Sequence, residues 1–255
     1  MANIDPCYFI TEPKFLDALG INLYAPKVKD VIANPKYPQY ASLFTLSQED
    51  IWDRMAEEQQ KEPIGKPVEG APTPFELFLI NYHASAEVAS LAKEAFQFFT
   101  HQDVKIVPES KNIIFLGNLA KIDNIKDICQ INSEEKFFYF QNEVRKCIGE
   151  TPVEPPRLNE NPKVAMIKAK ARLRDRVKRK KGSQNSISFS TMLTALCCMG
   201  IGLNPLNIGE ISYISASTIF SMTQDKEKYD TDIRIMTAGF GNSKIKPKYW
   251  INNPE

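Results

Sequence analysis

Two histidines, five cysteines and a run of ten lysines and arginines are the residues whose types and spacing bear most directly on chemistry. His83 and His101 fall outside any H-x-x-x-H or H-E-x-x-H spacing, so they give a metal site no support and read as surface or helix-end histidines. Cys7, Cys129, Cys147, Cys197 and Cys198 are odd in number, contain no C-x-x-C and include one adjacent pair. That pattern argues against a disulfide framework and against a zinc site, and adjacent cysteines bridge each other only under strain. It fits buried or incidental thiols in a reducing compartment. G-x-S-x-G, G-x-x-x-x-G-K-[ST] and G-x-G-x-x-G are all absent. Glu76, Glu87, Glu94 and the acids of 225–232 have spacings that fit solvated helix faces as well as any paired-carboxylate site. An enzyme is therefore the least supported class, with no catalytic residue, metal or cofactor expected.

Binding chemistry has more to work with. Residues 163–181 hold ten Lys/Arg against one acid, Asp175, a net +9; the whole 255-residue chain is +1, so the rest carries −8. Met166, Ala169, Leu173 and Val177 recur at i, i+3, i+7 and i+11, the spacing of a narrow apolar helix stripe. So dense a run of like charge makes an isolated helix marginal. Three readings compete: a helix laid on an acidic partner or on the chain's own acidic parts, a solvated linker helix, or a nucleic-acid-binding segment. Arg172, Arg174, Arg176 and Arg179 are the candidate contacts. Their cationic density suits phosphates, but no aromatic side chain is present to stack bases or anchor the helix on a membrane surface. A second candidate is the tail, where Tyr249 and Trp250 stand beside Lys244, Lys246 and Lys248. That aromatic pair is either a lock onto its own helical domain or an anchor for a partner.

Proline joints divide the elements that must position these groups. Residues 61–74 carry four prolines and two glycines, and 151–162 carry four prolines in twelve residues, the mark of an extended connector. Residues 1–71 read as short helical pieces and a linker, including a helix after Ser47 with Ile51, Trp52 and Met55 on one side. Residues 72–150 read as a small α+β domain. Thr73-Pro74-Phe75-Glu76 predicts a capping box, Ser85 and Ser133 open further helices, and 105–107 with 112–116 predict a hairpin. A short helix is expected over 123–131. The basic helix belongs to a linker over 151–185, and 186–255 reads as a helical domain with candidates at 188–200, 205–223 and 225–239. Gly200 and Gly202 read as a helix C-terminal turn. The fold class is mainly α with a minor β-hairpin, short helices in two lobes joined by a basic helix.

Residues 182–209 are uncharged, but serines, threonines and glycines interrupt their apolar run, so a core helix is expected there and not a membrane span. Met1 to Asp5 lacks the basic-then-apolar order of a secretory signal, and the expected location is cytoplasmic.

The layout has a resemblance. A unit opening at Thr73-Pro74-Phe75-Glu76 is followed by a Pro-rich joint, a Lys/Arg-rich helix and a helical segment. That segment runs from Asn207-Ile208-Gly209-Glu210-Ile211 through Tyr229-Asp230 to Lys246-Pro247-Lys248-Tyr249-Trp250. Over roughly 72–252 this resembles the tail assembly chaperones of long-tailed bacteriophages; residues 1–70 lie outside the likeness. The resemblance implies a non-enzymatic, largely helical cytoplasmic protein, in host cytoplasm if phage-encoded. Such a protein coats the tape measure protein, keeps it soluble, recruits tail tube subunits and leaves before the tail matures. No active-site residue carries over, and Lys246, Lys248, Tyr249 and Trp250 are the tail positions it singles out. Met192, Leu193, Leu196, Met199 and Met222 would supply adaptable apolar surface, or simply core. The rivals are a nucleic-acid-binding protein using 163–181 and a structural tail or connector subunit of the virion. A homo-oligomer is compatible with every one of these.

Overall fold

Helix caps and phenylalanine spacing decide most of the architecture. The computed structural model describes residues 8, 10–58, 68–107, 113–117, 129–155, 164–172, 174 and 188–238. In chain order, strands β1 (Lys14–Leu16) and β2 (Ile21–Leu23) precede helices α1 (Val28–Ala33), α2 (Tyr37–Leu43), α3 (Gln48–Glu58), α4 (Pro74–Ala84) and α5 (Ala86–Thr100). Strands β3 (Asp103–Val107), β4 (Ile113–Gly117) and β5 (Cys129–Ile131) lead to α6 (Glu134–Cys147). Residues 164–172 form α7; α8 (Phe189–Cys198), a 3-10 turn (Ile208–Glu210) and α9 (Tyr213–Thr237) complete the described chain. The protein is mostly helical, with antiparallel sheets of two and three strands.

Contacts divide the chain into two units. One takes Pro13–Tyr24 and Asn34–Ser186; the other takes Met1–Glu12, Ala25–Ala33 and Ile187–Glu255. The first 71 residues thus serve both units, where the sequence reading treats them as one segment.

In the first unit, the predicted capping box opens α4: Thr73 Oγ1 accepts from the Glu76 amide at 3.2 Å, and Glu76 Oε2 accepts from the Thr73 amide at 2.9 Å. Ser85 and Ser133 cap α5 and α6 by the hydroxyl alone, accepting from the Val88 and Lys136 amides. Acids start α6 and Arg145 and Lys146 end it, which suits the helix dipole. These starts bring Phe78, Phe96, Phe99, Phe137 and Phe140 around Phe44, none more than 6% exposed. The Phe44 ring lies 5.1 Å from Phe96 and 5.3 Å from Phe140, both edge-on, the geometry aromatic quadrupoles prefer. α5 ends at His101, whose φ of +55° makes it a left-handed cap stacked 3.9 Å from Tyr24.

The expected hairpin is present, with Val107 opposite Ile113; the turn at 108–111 lies outside the described residues. The expected helix over 123–131 is corrected at its end. Cys129–Ile131 is a strand that pairs with β4, Ile114 facing Ile131. Cys129 and Ile131 are both buried, and an edge of β4 with unpaired amides outweighs the weak helical pattern. The β1–β2 hairpin was not foreseen. Its strands have three residues each, too short for periodicity, and Gly20 closes its turn at φ +68°.

In the second unit, α1 abuts the 3-10 turn, and a Cβ on Gly209 would sit 3.3 Å from Lys29 Cβ. The Val28 amide donates to Ile211 O at 2.9 Å and the Tyr213 amide donates to Pro26 O at 2.8 Å. The candidates at 205–223 and 225–239 are corrected to one helix, α9, starting at the Ser212 cap. No glycine or proline occurs between Tyr213 and Thr237, and Lys226/Asp230, Lys228/Asp232 and Asp230/Arg234 have favourable i, i+4 spacing, so nothing stops the helix at Asp225. Gly200 and Gly202 follow α8 at φ +66° and +84°, the turn expected of them. No helix among the described residues is long and apolar enough to cross a membrane.

Candidate protein-binding surfaces

One arginine of the basic segment is held by an acidic helix of its own unit. On α3, Glu49 and Asp53 stand one turn apart, so both carboxylates project from one face. Arg172 of α7 reaches both. Its Nε lies 3.1 Å and its second terminal nitrogen 3.5 Å from the two Asp53 oxygens, while the first terminal nitrogen bonds Glu49 Oε2. A planar guanidinium matches this fork in a way lysine does not. The Asp53 side chain is 3% exposed, so the pair is largely withdrawn from solvent screening.

The face of α7 that turns inward keeps Ala169 of the predicted stripe but not Met166. Ala165 and Ala169 are buried and Arg172 is half-buried, whereas Met166 is 43% exposed. Alanine's small side chain allows close approach, and the Arg172 pair replaces apolar contact at the next turn. The two remaining apolar positions, Leu173 and Val177, fall on side chains outside the described residues. Of the candidate contacts, Arg174 is helical and exposed; Arg176, Arg179, Lys246, Lys248, Tyr249 and Trp250 lie outside the described residues. The structure therefore commits Arg172 to internal carboxylates, which removes it from any free phosphate-binding array. Sequence reasoning missed Glu49 and Asp53, although their i, i+4 spacing was visible.

Two concave places stand out among the described residues of the first unit. The deep crevice among Phe44, Gln48, Glu49, Phe138, Gln141 and Arg145 has about 30 Å³, room for a water or two and not for a metabolite. Its polar groups are engaged: Gln141 Nε2 donates to Leu46 O at 3.2 Å, Arg145 Nε donates to Thr151 O at 2.9 Å, and Arg145 also bonds Thr45 O. Beside it Asn142 holds the extended segment at 151–155. It donates to Val153 O at 3.0 Å and accepts from the Val153 amide at 2.8 Å, as a neighbouring strand would. The second place is a wide, open groove along Glu76, Leu79, Ile80 and His83. Glu76 is already used in the capping box. Among the described residues no group of His, Cys, Asp or Glu is placed to hold a metal ion.

Titratable groups with displaced pKa values serve structural ties. Glu94 accepts from Lys36 Nζ at 2.8 Å, Tyr40 Oη at 2.7 Å and Ser90 Oγ at 3.1 Å, and these bonds hold its carboxyl down to about 2. Burial pushes the Cys129 thiol up to about 11 and the Cys147 thiol higher still, so neither is a ready nucleophile.

The second unit offers apolar surface. In the cluster around Leu196, four residues are buried: Val28, Leu196, Ile208 and Ala216. Nine more are half-buried, among them Phe189, Met192, Leu193, Met199, Ile219 and Phe220. The last buried residue of α9 is Ala216, and residues 217–237, more than four-fifths of a helix about 37 Å long, are half-buried or exposed. Comparison with protein-family models, curated proteins and solved structures finds no match to this chain.

Proposed function

We propose that the chain is a non-enzymatic binding protein for apolar helical segments of other proteins. The observation that carries this reading is the thin core of the second unit, where half-buried apolar side chains outnumber buried ones. Methionine and leucine at Met192, Leu193 and Met199 adapt to varied partner shapes at low cost. A helix such as α9, with no buried residue after Ala216, offers a long face for helix-on-helix docking.

The resemblance to phage tail assembly chaperones supplies the biological setting. In that setting the client is the tape measure protein, the recruited partner is the tail tube subunit, and the work is done in host cytoplasm before the tail matures. Co-expression with both proteins, followed by affinity purification and size-exclusion chromatography, tests it. The chain should co-elute with one or both and be missing from purified virions by mass spectrometry. If it elutes alone from both co-expressions, the tail assembly reading is wrong.

A further inference from the structure

A second binding surface lies on α7, on the side away from the α3 contact. One face of this helix, Ala165, Ala169 and Arg172, is spent on the unit itself. Val164, Ile167 and Ala171 recur at i, i+3 and i+7 on the opposite side, which is the spacing of a coiled-coil seam. Ile167 is 68% exposed and Val164 42%, while Ala171 is also exposed. Lys170 borders this seam and Arg174 continues it, both exposed. Val164 and Ile167 thus set apolar surface beside cations on one helix face, the composition an amphipathic helix can dock against.

We infer that this outer face of α7 docks an amphipathic helix of another protein, one whose apolar seam is bordered by Asp or Glu. Charge complementarity names the partner: positions beside a helical seam choose partners by opposite charge, and here they are the exposed Lys168 and Lys170, with Arg174 adding a cation at the next seam position. The inner face shows the same chemistry at work, since Arg172 pairs there with Glu49 and Asp53 at i, i+4 on an acidic helix. Ala171 on the outer face, like Ala169 on the inner, lets a second backbone come close. A lipid surface fits less well because the seam is narrow and holds no Trp or Phe. A nucleic-acid backbone has no use for an apolar residue at the centre of the face.

This surface shares no residue with the α8–α9 cluster, so its failure would leave the co-purification test untouched. The probe is a fluorescein-labelled peptide of about three heptads with Leu at the seam and Glu beside it, titrated with the full-length chain and read by anisotropy. Saturable binding is expected, weakened about tenfold or more by Ile167→Asp and by the double change Lys170→Glu with Arg174→Glu. The charge-reversed chain should instead bind the same peptide carrying Lys for Glu. Both variants are at exposed positions and should keep the wild-type unfolding midpoint. No saturable binding, or binding that neither variant weakens, overturns the inference. So does retention on phosphatidylserine vesicles that Ile167→Asp abolishes, if the peptide does not bind.

Discussion

The two units spend their apolar residues differently. Around Phe44 five phenylalanines close on one another, and their exposures run from 0% to 6%. Around Leu196 the larger side chains, including Phe189, Met192 and Phe220, stay half-exposed and the fully buried set includes an alanine and a valine. The ion pairs differ in part, since the first unit holds the exposed Lys36–Glu94 pair as well as a buried one. Arg172 joins Asp53 inside the first unit at 3% carboxylate exposure, while Glu210 of the second meets Lys27 and Lys29 at 57%. On the proposed function, the unit closed on itself is the scaffold and the unit with half-buried apolar side chains is the one that binds.

The strongest way to break this contrast is Phe96→Ala. Phe96 is fully buried and touches Phe44, Phe78 and Phe140, so its loss should cost about 3–5 kcal/mol in denaturant unfolding. Cysteine alkylation followed by mass spectrometry adds a regional readout. In the wild type, exposed Cys198 should react well before buried Cys129 and Cys147, and Phe96→Ala should erase the protection of Cys147. If Phe96→Ala leaves stability and labelling unchanged, the scaffold reading of the first unit fails.

A smaller effect is expected from Arg172→Gln. It leaves the buried Asp53 carboxylate without its guanidinium and should cost about 2 kcal/mol by the same unfolding measurement. Glu210→Gln, which breaks only exposed pairs in the second unit, should not move the midpoint measurably. Equal losses from the two would erase the distinction between internal and surface charge.

The smallest and most specific effect is on pH dependence. The folded pKa of Glu94, about 2, is below that of an unfolded glutamate, about 4.3, so its contribution to stability is complete above that value and is lost as the pH falls towards 2. Glu94→Gln should therefore be less stable than wild type at neutral pH, with the gap closing at acid pH. A gap that widens on acidification would show that Lys36 and Tyr40 do not hold the ionised form.

The local signals in the chain were readable wherever side chain and backbone act within a few residues. Thr73 with Glu76, the serines at 85 and 133, the β3–β4 hairpin and the glycines after α8 all obey that rule. Where the outcome depended on a distant partner, the sequence misled. Of the expected stripe of α7, Ala169 is buried as read, but Met166 is exposed and Ala165 takes the inward place beside it. Cys129–Ile131 looked helical until β4 offered an edge. Nothing local to Glu49 and Asp53 on α3 says that an arginine far along the chain meets them.

By itself the amino-acid sequence determined a helical protein with a concentrated cationic segment, because caps, prolines and charge density act over short range. Only tertiary structure decided which face of that segment is spent internally and that one long helix follows Ser212. It also decided which apolar set is closed and which stays open. Burial and ion pairing between residues over a hundred positions apart are properties of the packed chain: Arg172 meets Asp53 because the fold brings α3 and α7 together.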